Sequence, residues 1–197
     1  KTALVSLLGV NNETGAIADL KSQVQTIRTL APEALIHADL VQMWQKRPID
    51  LTSLDLDFAS FSGHKIKGPK SIGLLYVKNP SSFHPLIVGG GQQNGLRSGT
   101  EDPILLGGLA KAVQCWQTLG GWEALDEQSR QLKSALYAGL EEKGIHYQKH
   151  EAVDSLPSIL NFAILGSRGD TIVNYLGSKG ICISNSSACS AGSKDGS

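Results

Sequence analysis

The densest group of reactive side chains lies in residues 60–70, a segment rich in serine, histidine and lysine. An apolar run that predicts a β-strand precedes it, and ligands of α/β proteins bind at the carboxyl ends of strands. Serine, histidine and backbone N–H groups there can hold a phosphate. Lys65, as a neutral amine in a desolvated pocket, can form an imine with an aldehyde. The same composition also fits a solvated basic loop.

A second polar group follows another apolar run, at residues 37–42. Asp39 again stands at a predicted strand end. Its carboxylate can pair there with the protonated nitrogen of a heteroaromatic ring, which makes that ring a better acceptor of electrons. The alternative is structural, because Asp is also a favoured residue at the start of a helix. The segment by itself leaves both possibilities open.

Cys189 lies in a small, polar segment, residues 184–192, whereas Cys115 and Cys182 have apolar neighbours. Apolar neighbours are typical of buried structural cysteines, and a reactive thiol must be partly exposed. Cys189 is therefore either a reactive thiolate or a passive surface thiol. The odd count of three cysteines and their wide spacing predict no disulfide framework and favour a reducing cytoplasm.

Residues 89–100 are rich in glycine, which lets a backbone approach a ligand closely. A dinucleotide-binding fingerprint would need GxGxxG between a strand and a helix, and the spacing here does not fit that pattern. Neither CxxC nor HExxH occurs in the sequence. We therefore predict no metal site.

The elements that position these segments follow from hydrophobic periodicity. Apolar runs predict strands at residues 2–10, 34–38, 57–62 and 72–77. Apolar residues at three- and four-residue steps from Ile17 to Leu30 predict an amphipathic helix that Pro32 ends. Strands that alternate with helices in this way predict an α/β sheet that is at least partly parallel.

The pattern changes in the second half of the chain. Helices are predicted at about residues 103–118, 122–143 and 170–178, and strands at residues 158–165 and 181–184. These elements predict a second, smaller α+β unit, with a boundary near residue 105.

The composition is that of an ordinary globular protein, with 197 residues, 41% hydrophobic and 18% charged, and a formal net charge of zero. Because there is no basic block, nucleic acid and anionic membranes are poor candidates as partners. The apolar runs are too short to span a bilayer. The chain opens at Lys1 in a predicted strand and ends in the loop 192–197, so we expect both ends to be cuts within a longer protein.

Taken together and in this order, these segments resemble the NifS/IscS-like cysteine desulfurases of the class V aminotransferase family. The motifs that carry the resemblance are residues 10–15 (Val-Asn-Asn-Glu-Thr-Gly), 37–42 (His-Ala-Asp-Leu-Val-Gln), 62–70, 97–100 and 187–190. The resemblance implies the aspartate aminotransferase-like α/β fold, fold type I. Residues 1–104 would then be the C-terminal part of the large mixed-sheet domain. Residues 105–197 would be an incomplete small α+β domain that ends in the loop of the catalytic cysteine.

The resemblance also implies the cofactor, pyridoxal 5′-phosphate (PLP), and the residues that bind it. Lys65 matches the lysine that bonds covalently to the cofactor and later moves protons. Asp39 matches the partner of the pyridine nitrogen, and Gln42 matches the donor to the phenolic oxygen. Ser62 and His64 match phosphate ligands.

Further positions complete this set. Thr100 matches a phosphate ligand that the family supplies from the other subunit of a homodimer, and Asn12 matches a residue at the edge of substrate and cofactor. Cys189 matches the catalytic cysteine on its mobile loop.

By this resemblance the protein converts L-cysteine to L-alanine and carries the sulfur as a persulfide on Cys189. In the cytoplasm the persulfide passes to a sulfur-acceptor protein, in the family often a scaffold for iron–sulfur cluster assembly or a thiolation enzyme. One alternative is a selenocysteine lyase or another class V aminotransferase, although a plain aminotransferase needs no thiol nucleophile. The other is an inactive fragment that retains only the fold.

Overall fold

The chain folds into two compact units, and the computed structural model describes residues 1–185. Unit 1 consists of Lys1–Val10 and Ala18–Ala124, and unit 2 consists of Asn11–Ile17 and the chain from Leu125 onward. Unit 1 therefore contains the lysine-rich segment and most of the predicted site.

Unit 1 is built on a four-stranded mixed sheet with strand order β1-β2-β3-β4. The strands are β1 (Leu4–Leu8), β2 (Leu35–Asp39), β3 (Phe58–Ser62) and β4 (Gly73–Val77). The first three strands run parallel, and β4 is antiparallel to β3. Ile36, Ala38 and Ala59 in the central strands are fully buried. The predicted strands and the partly parallel α/β sheet are confirmed.

Helix α1 (Leu20–Leu30) connects β1 to β2 and buries Val24. Asp19 caps its N-terminus, because its side chain accepts a hydrogen bond of 3.0 Å from the Ser22 N–H. The helix ends before Pro32, as predicted, since a proline ring excludes the backbone geometry and hydrogen bond of a helix interior. A short helix, α2 (Leu51–Leu54), precedes β3.

Helix α3 (Pro103–Thr118) belongs to unit 1 because it packs against the 3-10 helix Gly63–Ile66 that follows β3. The Trp116 indole N–H donates a hydrogen bond of 2.8 Å to the Ile66 carbonyl. The two units separate after Ala124. The assignment of residues 1–104 and 105–197 to two domains stays a prediction.

Unit 2 contains most of helix α4 (Gly121–Glu142), followed by the antiparallel strands β5 (Tyr147–Lys149) and β6 (Phe162–Ile164). Helix α5 (Gly169–Ser178) comes next in the chain. The turn at residues 11–17 joins this unit through hydrogen bonds such as that from the Ile17 N–H to the Asp154 carbonyl, 3.0 Å long.

The strand predictions for unit 2 are partly wrong. The strand predicted at residues 158–165 shrinks to β6, and β5 was not predicted. Residues 181–184 form no strand and pair with no other strand among residues 1–185. The physical reason is that a strand needs a partner for its backbone N–H and C=O groups, and an apolar run alone does not supply one.

Two cysteines lack the buried environment that is typical of cysteines with apolar neighbours in sequence. Cys115 and Cys182 are both exposed free thiols. Helix α3 directs Leu109 and Trp116 toward the 3-10 helix. Cys115 lies six residues after Leu109 and one before Trp116, so it is on another face of α3 and is exposed. Apolar neighbours in sequence therefore do not bury these thiols.

Arg28 on α1 holds the helix to the strands of the sheet. Its Nε and Nη2 donate to the carboxylates of Asp55 and Asp57 at 3.0 and 2.8 Å, and its Nη1 donates to the Ala34 carbonyl at 2.8 Å. The same Asp57 oxygen accepts from the Ile36 N–H at 2.8 Å. The planar guanidinium satisfies several acceptors at once, which a lysine could not do.

We predict that Arg28→Met lowers the free energy of unfolding by about 2 kcal/mol, because the partly buried Asp57 carboxylate and the Ala34 carbonyl lose a charged hydrogen-bond donor. Urea unfolding of the natural full-length protein measures the loss. Arg130→Met is the matched control, since the Arg130 side chain is 64% exposed and lies 3.7 Å from its partner Asp126. Its effect should stay within about 0.5 kcal/mol. Equal losses in both variants would contradict the prediction.

Glu151 is the centre of a charged cluster in unit 2. The Lys133 ammonium donates to its Oε2 at 2.6 Å, and the Tyr137 hydroxyl donates to its Oε1 at 2.5 Å. Lys149 Nζ lies 4.0 Å from the centre of the Tyr137 ring. Burial by itself raises the pKa of Glu151, but the hydrogen bonds from Lys133 and Tyr137 lower it below the ordinary 4.5.

Because the pKa of Glu151 is lower in the folded state, its charge stabilises the protein above the ordinary pKa, and this contribution is lost as the pH falls below it. We predict that Glu151→Gln destabilises at pH 7, and that the difference from the parent narrows as the pH is lowered below 4.5. Urea unfolding across this pH range measures the difference in the free energy of unfolding. Glu127→Gln, at an exposed glutamate, is the control. A difference that does not change with pH would refute the prediction.

Candidate active site

The carboxyl ends of β2 and β3 place most of the predicted site residues of unit 1 at one edge of the sheet. The strands are parallel, with Asp39 opposite Ser60, and the Leu40 N–H donates to the Ser60 carbonyl at 3.0 Å just beyond the end of β2. Asp39 is the last residue of β2 and Ser62 the last residue of β3. Gln42 comes shortly after the end of β2, and His64 and Lys65 come shortly after the end of β3.

The Asp39 carboxylate is oriented by the backbone that follows it. Its Oδ1 accepts a hydrogen bond of 2.9 Å from the Val41 N–H. Residues 40–47 form helical turns, with the Trp44 N–H donating to the Leu40 carbonyl at 2.9 Å, but no α-helix begins here. Within residues 1–185 the other carboxylate oxygen, Oδ2, has no hydrogen-bond partner, so Asp39 keeps an acceptor for a ligand.

His37 links the parallel strands on the same sheet. Its Nδ1 lies 2.8 Å from the Ser6 hydroxyl on β1, and its Nε2 lies 3.0 Å from the Ser60 hydroxyl on β3. Both ring nitrogens therefore have hydrogen-bond partners inside the sheet. We interpret His37 as a residue that holds the register of the strands close to their carboxyl ends.

Ser62 is the last residue of β3, and His64 and Lys65 lie in the 3-10 helical turn that follows it directly. The Ser62 hydroxyl and His64 Nδ1 are hydrogen-bonded at 2.7 Å. Lys65 is half-buried in the 3-10 helix Gly63–Ile66, and Lys67 ends that helix with a left-handed backbone, φ 61°. The turn thus brings a hydroxyl, an imidazole and an amine within one short segment.

Lys46 is a site residue that reasoning from the sequence missed. Its Nζ donates a hydrogen bond of 2.8 Å to Gln42 Oε1, four positions earlier. Burial, and after it the positive charge of Lys65, lower the pKa of Lys46 to about 8. No signal in the sequence could have found it, because Gln45 between the two residues has a left-handed backbone, φ 60°, and the four-residue spacing rule holds only in a regular helix.

The other predicted residues lie elsewhere. Thr100 is exposed in the glycine-rich segment, where it lines a shallow surface groove with Gln92 and Glu101. Asn12 is exposed in the turn that belongs to unit 2. Cys189 lies outside the described residues. The structure therefore places Asp39, Gln42, Ser62, His64 and Lys65 at the ends of β2 and β3. The roles of these five residues stay predictions, as do those of Thr100, Asn12 and Cys189.

Over residues 1–185, histidine, cysteine and acidic side chains form no cluster of three or more that could hold a metal ion. None of the helices in this range combines the length and apolar composition that a bilayer crossing requires.

Comparison with known proteins identifies relatives of the whole chain. The model of the family "Aminotransferase class-V" matches residues 1–195. The NifS/IcsS protein homolog of Lactobacillus delbrueckii subsp. bulgaricus is 40% identical over 98% of this chain, which is 50% of that protein. The cysteine desulfurase of Gluconacetobacter diazotrophicus is 36% identical over 98% of this chain and 48% of its own length.

A solved structure described as a NifS-like protein is 35% identical, with a TM-score of 0.85 over 93% of this chain and 49% of that chain. The aspartate aminotransferase-like fold type I predicted from the motifs is confirmed by this likeness. The chain spans about half the length of the curated relatives that it matches. This chain therefore belongs to the class-V aminotransferase family and is homologous to the NifS/IscS cysteine desulfurases.

Proposed function

We propose that this chain carries the cofactor-binding core of a PLP-dependent cysteine desulfurase, which converts L-cysteine to L-alanine and leaves the sulfur as a persulfide on Cys189. The observation that carries the proposal is the cluster at the carboxyl ends of β2 and β3, where Asp39, Ser62 and Lys65 stand in the order of the family motifs. The relatives named cysteine desulfurases support it.

Each functional group of PLP has a chemically suitable partner among the side chains at this edge of the sheet. The Lys65 amine suits the aldehyde, and the Ser62 hydroxyl with the His64 imidazole suits the phosphate. The Asp39 carboxylate, which keeps Oδ2 available, suits a protonated pyridine nitrogen. The Gln42 amide suits the phenolic oxygen, since an amide nitrogen donates hydrogen bonds.

When bound, PLP supplies an aldehyde that captures amines and a ring that accepts electrons from the substrate. Asp39 would keep the ring nitrogen protonated, and the Val41 N–H fixes the direction of that carboxylate. Lys65 would hold the aldehyde through its Nζ, and with this amine free it would take the proton from the substrate Cα.

Cys189 acts on the substrate sulfur. Its Sγ attacks as a thiolate, so a bond forms between Sγ and the substrate sulfur while the bond between that sulfur and the substrate Cβ breaks. The carbon fragment keeps the electron pair of the broken bond, takes up a proton at Cβ, and regains at Cα the proton that Lys65 removed, and so becomes L-alanine. The outer sulfur remains on Cys189 as a persulfide.

The wider assignments of the proposal rest on the family resemblance. They are a homodimer in which Thr100 of the partner subunit binds the phosphate, a role for Asn12 at the substrate edge, and a cytoplasmic location. The persulfide passes to an acceptor protein, either an iron–sulfur scaffold or a thiolation enzyme. Relatives named IscS and cysteine desulfurase are consistent with sulfur transfer.

We predict that borohydride reduction of the natural full-length protein with PLP places a pyridoxyl label on Lys65, because that amine bonds to the aldehyde. Lys65→Ala should lose both the label and the visible absorbance of the bound cofactor. Absorbance spectra and mass mapping of peptides measure this. Lys111→Ala, at an exposed position on α3, should retain both. A label on another lysine in the parent protein would sink the assignment.

We predict that Cys189→Ala abolishes persulfide formation and lowers sulfur release from L-cysteine roughly a thousandfold or more, as loss of a nucleophile does. The visible absorbance of bound PLP should persist, since Cys189 takes no part in holding the cofactor. Sulfide and alanine assays measure the loss. Cys182→Ala, at an exposed free thiol, is the control and should keep full release. Sulfur release that survives in Cys189→Ala would show another nucleophile.

A further inference from the structure

Lys46 is a charged side chain near the site for which no role follows from the family motifs. Its Nζ donates to Gln42 Oε1 at 2.8 Å. The residue is half-buried, and within residues 1–185 no carboxylate pairs with it. A partly buried ammonium without a carboxylate partner is unusual, because the loss of hydration is poorly compensated. The position of Lys46 therefore needs an explanation.

The contact with Gln42 selects one orientation of its side-chain amide. An amide offers one acceptor oxygen and one donor nitrogen, whereas an ammonium offers donors only. Lys46 can therefore satisfy only the Oε1 side of Gln42. Nε2 of Gln42 can then donate a hydrogen bond to another acceptor. Without Lys46 the amide could rotate by half a turn and present its oxygen instead.

We propose that Lys46 is a positioning residue that holds Oε1 of Gln42 and so keeps Nε2 of Gln42 as the donor to the phenolic oxygen of PLP. This inference rests on the proposed function, in which Gln42 contacts that oxygen. An ionised phenolic oxygen accepts hydrogen bonds, and a donor fixed in direction stabilises it better than an amide that rotates freely.

The turn that carries both residues is firmly held. The Trp44 N–H donates to the Leu40 carbonyl at 2.9 Å, and Met43 is buried. The Trp44 ring packs edge to face on Phe61 of β3, with ring centres 5.4 Å apart. Gln45 has a left-handed backbone, φ 60°, which is strained for a residue other than glycine. These contacts set the direction in which Lys46 leaves the turn.

The ionisation of Lys46 is consistent with this role. Burial is the main cause that lowers its pKa to about 8, and the charge of Lys65 is the second. The ammonium form, which can only donate, still predominates at neutral pH. The proximity of Lys65 also places Lys46 beside the lysine that binds the cofactor in the proposed function.

The test follows the visible absorbance of PLP bound to the natural full-length protein as the pH is changed. A fixed donor favours the ionised phenolic oxygen, so its loss should raise the pH midpoint of the absorbance change. We expect Lys46→Met and Gln42→Leu each to raise the midpoint by about one pH unit. The double variant should raise it no further, because both changes remove the same hydrogen bond. Lys111→Met, at an exposed lysine of α3, should leave the midpoint unchanged.

The proposal is overturned if Lys46→Met leaves the midpoint at the parental value, or if the two shifts add in the double variant. A merely structural role would lower the melting temperature and leave the midpoint alone. Lys46→Arg keeps a head group that only donates, so its midpoint should lie closer to the parent than that of Lys46→Met. A midpoint for Lys46→Arg equal to that of Gln42→Leu would count against the proposal. A parent protein with no visible band would instead refute the proposed function, so the two failures are distinguishable.

Discussion

The parallel pairing of β2 with β3 is the constraint on which the site depends. Parallel strands end at the same edge of a sheet, so Asp39 and the turn after Ser62 come to that edge although they are distant in sequence. An antiparallel pairing would have sent the two strand ends to opposite edges. The Asp39 carboxylate and the Lys65 amine lie at the same edge of the sheet because β2 and β3 run in the same direction.

Polar side chains maintain this pairing from within the sheet. His37 contacts the hydroxyls of Ser6 and Ser60 on the strands to either side. Because a polar group removed from water is stable only with hydrogen-bond partners, a shift of register would leave His37 unsatisfied. The same contacts lie close to the site, so the stability of the sheet and the position of Asp39 are coupled.

Much of the fold could be predicted from local signals. Helix α3 begins and ends where the pattern indicated. Its start is fixed locally, because Asp102 accepts hydrogen bonds from the Ile104 and Leu105 N–H groups and Pro103 occupies the first turn. Residues 181–184 were predicted wrongly as a strand, since strand formation depends on a partner elsewhere in the chain. The strand β5 was missed for the same reason, as its pairing with β6 is not a local property.

The amino-acid sequence by itself determined which functional groups the site contains: the Lys65 amine, the Asp39 carboxylate, the Gln42 amide, and the hydroxyl and imidazole of Ser62 and His64. It also determined where α1 ends, because Pro32 acts on its near neighbours. The start predicted at Ile17 was wrong, since α1 begins at Leu20. Tertiary structure alone decided that Lys46 is half-buried near Lys65 and donates to Gln42. Burial and the charge of a distant residue act through space, so neither can be read from spacing along the chain.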